Sequence, residues 1–166
     1  MTKEQLLDRV PPCGLVCYTC PGFKDGAIKA HSEALLKLNE GFREFLDKHL
    51  SEEYRYVLKE HDQYIAKLKK DSGAACPGCR KIDGKGPGCI KGCFISACAK
   101  EHDVDFCGEC GEFPCGKVEK SDLYSEIAKK DFYAGSLLIK QYGAEKFFEM
   151  KKDTSHYIGH AEHTEV

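Results

Sequence analysis

Between Cys76 and Cys115 the chain places eight of its eleven cysteines: Cys76, Cys79, Cys89, Cys93, Cys98, Cys107, Cys110 and Cys115. Among them stand Gly78, Gly84, Gly86, Gly88, Gly92, Gly108 and Gly111, while the large apolar side chains are few, chiefly Ile82, Ile90, Phe94, Ile95, Val104, Phe106 and Phe113. Ordering a backbone costs roughly 1–2 kcal/mol per residue. A segment this rich in turn residues cannot offset that by apolar burial alone, so another holder is required. A bound metal is the expected one. Thiolates two residues apart can bite a single ion, and the glycine between them supplies the tight turn. Structural zinc in such peptides contributes on the order of 10–16 kcal/mol at neutral pH, more than the net stability of a typical domain.

The other three cysteines, Cys13, Cys17 and Cys20, follow Pro11-Pro12 in the spacing C-x3-C-x2-C. Radical S-adenosylmethionine enzymes hold an iron–sulfur cluster on the same spacing, but a chain of 166 residues is too short for their barrel. An odd number of cysteines fits a disulfide framework poorly. The N-terminal segment has no apolar run of signal-peptide length, and no stretch approaches the roughly 18 apolar residues of a membrane span. The expected setting is the reducing cytoplasm, where clustered cysteines are metal ligands or reactive thiols. The net charge is −2, and residues 76–120 balance seven Lys/Arg against seven Asp/Glu. That disfavours a nucleic-acid footprint, which needs a concentrated basic face. A protein partner and the oligomeric state are left open.

Outside the cysteine groups the chain has a helical pattern. Residues 1–12 are expected to form a short helix ended by Pro11-Pro12. From Ala27 to Lys70 two apolar stripes at steps of three and four predict an antiparallel helical hairpin. The first runs through Leu35, Leu38, Phe42, Phe45 and Leu46, and the second through Tyr54, Val57, Leu58, His61, Ile65 and Leu68. Ser51 is the expected N-cap of the second arm and Gly73 its stop. His61 falls on the apolar stripe and is read as a core histidine; His31 is read as solvated. Helical segments are expected again from Ser121, over Asp131–Gln141 and over Ala144–Lys152, with a break at Gly143. These read as packing helices in preference to a DNA-binding pair. The terminal His156, His160 and His163 read as a frayed tail.

The expected architecture is a single, mainly α domain over 1–166 with an irregular cysteine-rich metal module. Residues 27–70 form the hairpin, 76–120 the module packed with 13–20, and 121–152 the closing helices. Zinc-ribbon or knuckle-like loops are expected in the module.

Three stretches carry a family resemblance: Cys13-Gly-Leu-Val-Cys17-Tyr-Thr-Cys20-Pro21, Cys76-Pro-Gly-Cys79-Arg80, and the run from Cys98 to Cys115 that closes on Phe106-Cys107-Gly-Glu-Cys110-Gly-Glu-Phe-Pro-Cys115. Together they resemble the cysteine-rich domain of unknown function 3795, a bacterial and archaeal family. Leu138 to Phe147 is similar to that family's closing helical segment. The resemblance implies zinc binding through the cysteines and no established activity. The charged hairpin is longer than the family pattern, as an insertion would be.

Zinc takes four ligands per structural site, so all eleven cysteines imply about two ions, or three if Cys13, Cys17 and Cys20 form a site of their own. Cys76/Cys79 with Cys107/Cys110 could form a ribbon-like site and Cys89, Cys93, Cys98 and Cys115 a second, and a cross-braced exchange fits the spacing equally. The competing cofactor is an iron–sulfur cluster, although neither ferredoxin spacing is intact. Closed four-cysteine sites favour a structural or interaction module without chemistry of its own. The alternative is an enzyme or redox carrier with an open site, drawing on the three remaining cysteines and on His102, Glu109 and Glu112.

Overall fold

A computed structural model describes residues 1–82 and 90–155. Cys89 and the tail histidines His156, His160 and His163 lie outside the described residues. The described chain is mainly helical and contains no strand. Its one extended pairing is an isolated parallel bridge between Phe23 and Cys76.

The first helix, α1 (Lys3–Arg9), opens with a capping box: Gln5 N donates to Thr2 Oγ1, and Thr2 N donates to the Gln5 side chain. It ends where Pro11-Pro12 removes further donors. Next come α2 (Ala27–Leu38), α3 (Phe42–His49) and α4 (Tyr56–Ser72). These are the expected hairpin with its first arm broken. Gly41, at φ 76°, turns the chain out of helix between α2 and α3. The predicted stripe therefore does not stay on one face: Leu46 is buried, while Leu38 is 80% exposed and Phe42 and Phe45 are 44% and 55% exposed. Ser51 caps only a short 3-10 turn over Glu52–Tyr54, without a side-chain hydrogen bond, and α4 begins at Tyr56. His61 is buried as expected. Its ring meets Phe42 edge-on at 5.5 Å, and neither ring nitrogen has a hydrogen-bond partner.

Both ends of the hairpin are stitched to one place. Cys76 N donates to Gly22 O at 2.9 Å, Lys24 N donates to Cys76 O at 3.0 Å, and Lys29 Nζ reaches Ala74 O at 3.3 Å. Cys17–Cys20 and Cys76–Cys79 are thereby brought side by side, although far apart in sequence.

The remainder comprises α5 (Cys79–Ile82), α6 (Ile95–Glu101), α7 (Gly116–Glu119), α8 (Glu126–Tyr142) and α9 (Ala144–Lys151). Ser125 caps α8, its Oγ accepting from Ala128 N at 3.3 Å. Gly143 separates α8 from α9 at φ 80°. Two apolar clusters flank α8. One joins Leu6 of α1 and Val10 just beyond it to Ile139, Phe147 and Phe148; the other joins Ile95, Phe113 and Val118 to Tyr124 and Phe132.

The middle of α8 is where the cysteine loops sit. A Cβ on Gly135 would stand 2.1 Å from Gly14 O, and one on Gly108 would stand 2.2 Å from Ser136 O, so both loops touch the helix backbone directly. Polar contacts hold them there: Ser136 Oγ donates to Cys13 O (3.4 Å), Tyr133 OH to Cys115 O (2.8 Å), and Lys140 Nζ to Phe113 O (3.3 Å).

Candidate metal centre

Two of the three C-x-x-C stretches bend in similar ways. Cys107–Glu109 and Cys17–Thr19 are each a single 3-10 turn, closed by Cys110 N donating to Cys107 O (3.1 Å) and Cys20 N donating to Cys17 O (2.9 Å). Glu109 fixes the first by accepting from Phe106 N at 3.1 Å through its carboxylate. Paired cysteines on one tight turn are a common source of two ligands to one ion.

Four cysteines from three elements then converge. Cys98 on α6, Cys107 and Cys110 on the turn, and Cys115 at the start of α7 line one cavity of about 30 Å³. Its apolar wall is Ala99, Val104 and Phe113, and His102 and Glu112 complete the lining. Burial and the neighbouring sulfurs of Cys98, Cys115 and Cys110 push the Cys107 thiol up to about 12. Thiols packed this way resist becoming anions together until a cation balances them. Thiols are the donor type a soft divalent metal takes, although among the described residues the three donor atoms found within 4.8 Å of one another are those of Cys98, Glu101 and His102.

A second group gathers around Cys13. Desolvation first, and then the nearby sulfurs of Cys79, Cys17 and Cys93, raise the Cys13 thiol well above its usual range. Cys93 accepts a hydrogen bond from Tyr124 OH at 3.3 Å, and burial together with that bond pushes the phenol up. Cys20 and Cys76 flank Gly22 beside this group: Cys76 N bonds Gly22 O, and Cys20 Sγ lies 3.9 Å from where a Gly22 Cβ would stand. Cys107 N donates to Pro12 O at 2.9 Å, so the two groups adjoin. Cys107 and Cys110 accordingly share their cavity with Cys98 and Cys115, and Cys79 stands with Cys13. All ten described cysteines are half-buried and none is in a disulfide.

Arg80 matters in a way its sequence position did not reveal. Its guanidinium lies 5.0 Å over the Phe106 ring and donates to three backbone carbonyls, Leu7 O at 3.1 Å, Val10 O at 3.4 Å and Asp105 O at 2.5 Å. It ties α1 and the residue that caps it to the bend at Asp105 and Phe106, directly after Cys79. Spacing gives no sign of this, because the acceptors are main-chain atoms.

One further trio stands at the cavity's edge. Cys98, Glu101 and His102 each offer a donor atom, and those atoms lie within 4.8 Å of one another. Positions i, i+3 and i+4 share one face of α6 and its end. His102 Nδ1 lies 2.8 Å from Cys98 O, which can only accept, so Nδ1 carries the proton and Nε2 keeps the lone pair in the neutral ring. Nε2 is 3.5 Å from Glu112 Oε1. Lys117 Nζ donates to Cys98 Sγ at 3.5 Å. A larger cavity of about 90 Å³, lined by Leu15, Val16, Leu138 and Phe147 among others, has no cysteine in its wall.

Comparison with known proteins finds a family profile described as protein of unknown function (DUF3795) that matches residues 9–120. The matched span holds all eleven cysteines and ends before α8. No curated protein and no solved structure matches the chain.

Proposed function

The chain belongs to the DUF3795 family of proteins of unknown function, and from that premise we propose that it is a zinc protein whose bound metal builds a structural module. The observation that carries this reading is the convergence of Cys98, Cys107, Cys110 and Cys115 on one cavity. Four thiolates close a tetrahedral zinc site and leave no position for substrate, which favours a structural over a catalytic ion. Cys13, Cys17, Cys79 and Cys93, with Cys20 and Cys76 beside them, are the ligand pool of a second ion.

Elemental analysis of anaerobically purified protein tests the reading. Two zinc ions per chain are expected, falling by one in Cys115→Ser and by one in Cys17→Ser. A brown, iron-containing preparation would replace zinc by a cluster, and unchanged stoichiometry in Cys115→Ser would remove the cavity from the ligand set.

A further inference from the structure

We propose that Cys98, Glu101 and His102 form a capture site that takes up a divalent cation at the protein surface and delivers it to the four-cysteine cavity. The proposal rests on the zinc reading of that cavity. Its starting point is that Cys98 belongs to two donor sets at once: it lines the cavity with Cys107, Cys110 and Cys115, and it closes the trio with Glu101 and His102. A cation held by the trio already has one cavity thiolate in its coordination shell. Exchange of the carboxylate and the imidazole for sulfur then needs no dissociation from the protein, each incoming thiol passing its proton to solvent or to the released imidazole or carboxylate.

The chemistry of the two sets favours transfer in that direction. The cavity offers four soft thiolates, whereas the trio offers one, with a nitrogen and a harder carboxylate oxygen; zinc and cobalt prefer the former when both are within reach. The surroundings fit first contact. Glu101 is exposed and the Glu112 side chain is 61% exposed, so negative charge faces solvent, while His102 is only 24% exposed and oriented through Cys98 O. Of the four cavity cysteines, Cys98 is the one that also meets the exposed Glu101, so a cation arriving there reaches a cavity sulfur first through Cys98. Lys117 completes the arrangement: its ammonium stands 3.5 Å from Cys98 Sγ, and as a flexible exposed cation it gives way to a divalent ion.

Cobalt(II) is a suitable probe, because its thiolate bands report sulfur coordination directly. Metal-free, reduced, full-length protein is mixed with cobalt in stopped flow, and both the rate and the final amplitude of the thiolate band are read. Glu101→Gln combined with His102→Gln is expected to slow uptake about tenfold, within the range that local charge gives to association rates, while leaving the amplitude unchanged. Glu101→Gln alone alters no buried contact and is expected to slow uptake about threefold at low salt, an effect lost as ionic strength rises. Glu60→Gln removes the same charge from α4 and is expected to change nothing. Wild-type rates in both trio variants, or equal slowing by Glu60→Gln, would overturn the capture role. Absence of a thiolate band in the wild type would instead overturn the zinc reading of the cavity.

Discussion

A single methyl group distinguishes the two kinds of glycine in this chain. At Gly135 the added Cβ meets Gly14 O at 2.1 Å, and since the obstacle is backbone, either α8 or the Cys13 loop must move. Gly135→Ala is expected to lower stability by about 1–3 kcal/mol, as overpacking does elsewhere. At Gly41 the Cβ meets nothing within 4 Å, and only the left-handed backbone at φ 76° resists it. Gly41→Ala should cost about 1–2 kcal/mol. The more telling difference is in metal affinity, which only Gly135→Ala should weaken, because it displaces Cys13. Urea unfolding with and without zinc separates the two, and equal zinc dependence would refute the seat described for the cysteine loops. At this scale the sequence was eloquent about sulfur and silent about its supports. The eleven cysteines stand out as candidate ligands by type and spacing, whereas Gly135 within Tyr133-Ala134-Gly135-Ser136 looks like a weak helix residue. Its role comes from a chain segment over a hundred residues away.

Among the elements, the hairpin was the most legible and its interior the least. Apolar residues at steps of three and four located both arms, but the pattern runs across Asn39–Gly41 without a gap, so periodicity alone carried the first arm through a position where the backbone turns out of helix. Leu38, Phe42 and Phe45 were consequently assigned to a buried stripe that the break leaves largely in solvent. Ser51 failed as the cap of α4 for a related reason: a 3-10 turn intervenes, and the cap belongs to that turn. The ends of the hairpin matter more to the metal module than its body does. Since Lys24 and Cys76 are already bonded across the base at 3.0 Å, residues 27–72 can be replaced by a short Gly/Ser linker. The shortened chain is expected to bind as much zinc as the full one. Loss of the metal bound through Cys17 would mean that the hairpin body positions the first cysteine group.

At the scale of the whole molecule, the matched family region and the physical core do not coincide. The profile ends at residue 120, yet α8, from Glu126 to Tyr142, is the element on which both cysteine loops rest. The sequence located this helix and its Gly143 stop. It could not place the helix between the two cysteine groups, since that contact depends on close backbone approach and not on hydrophobic period. Gly14 and Gly108 press on neighbouring residues of one rigid helix, and Cys107 N is bonded to Pro12 O, so order gained in one loop is passed to the other. Coupling of this kind is reciprocal. Zinc titration of Cys115→Ser should find the remaining centre weakened about fivefold or more, with a comparable loss at the cavity in Cys17→Ser. Unchanged affinities would mean that the centres fill independently. With a fivefold coupling between two equal sites, half-filled molecules would fall from about half to about a third of the population at the midpoint. Filling two such centres on one shared helix would then follow the supply of metal more steeply than either centre alone.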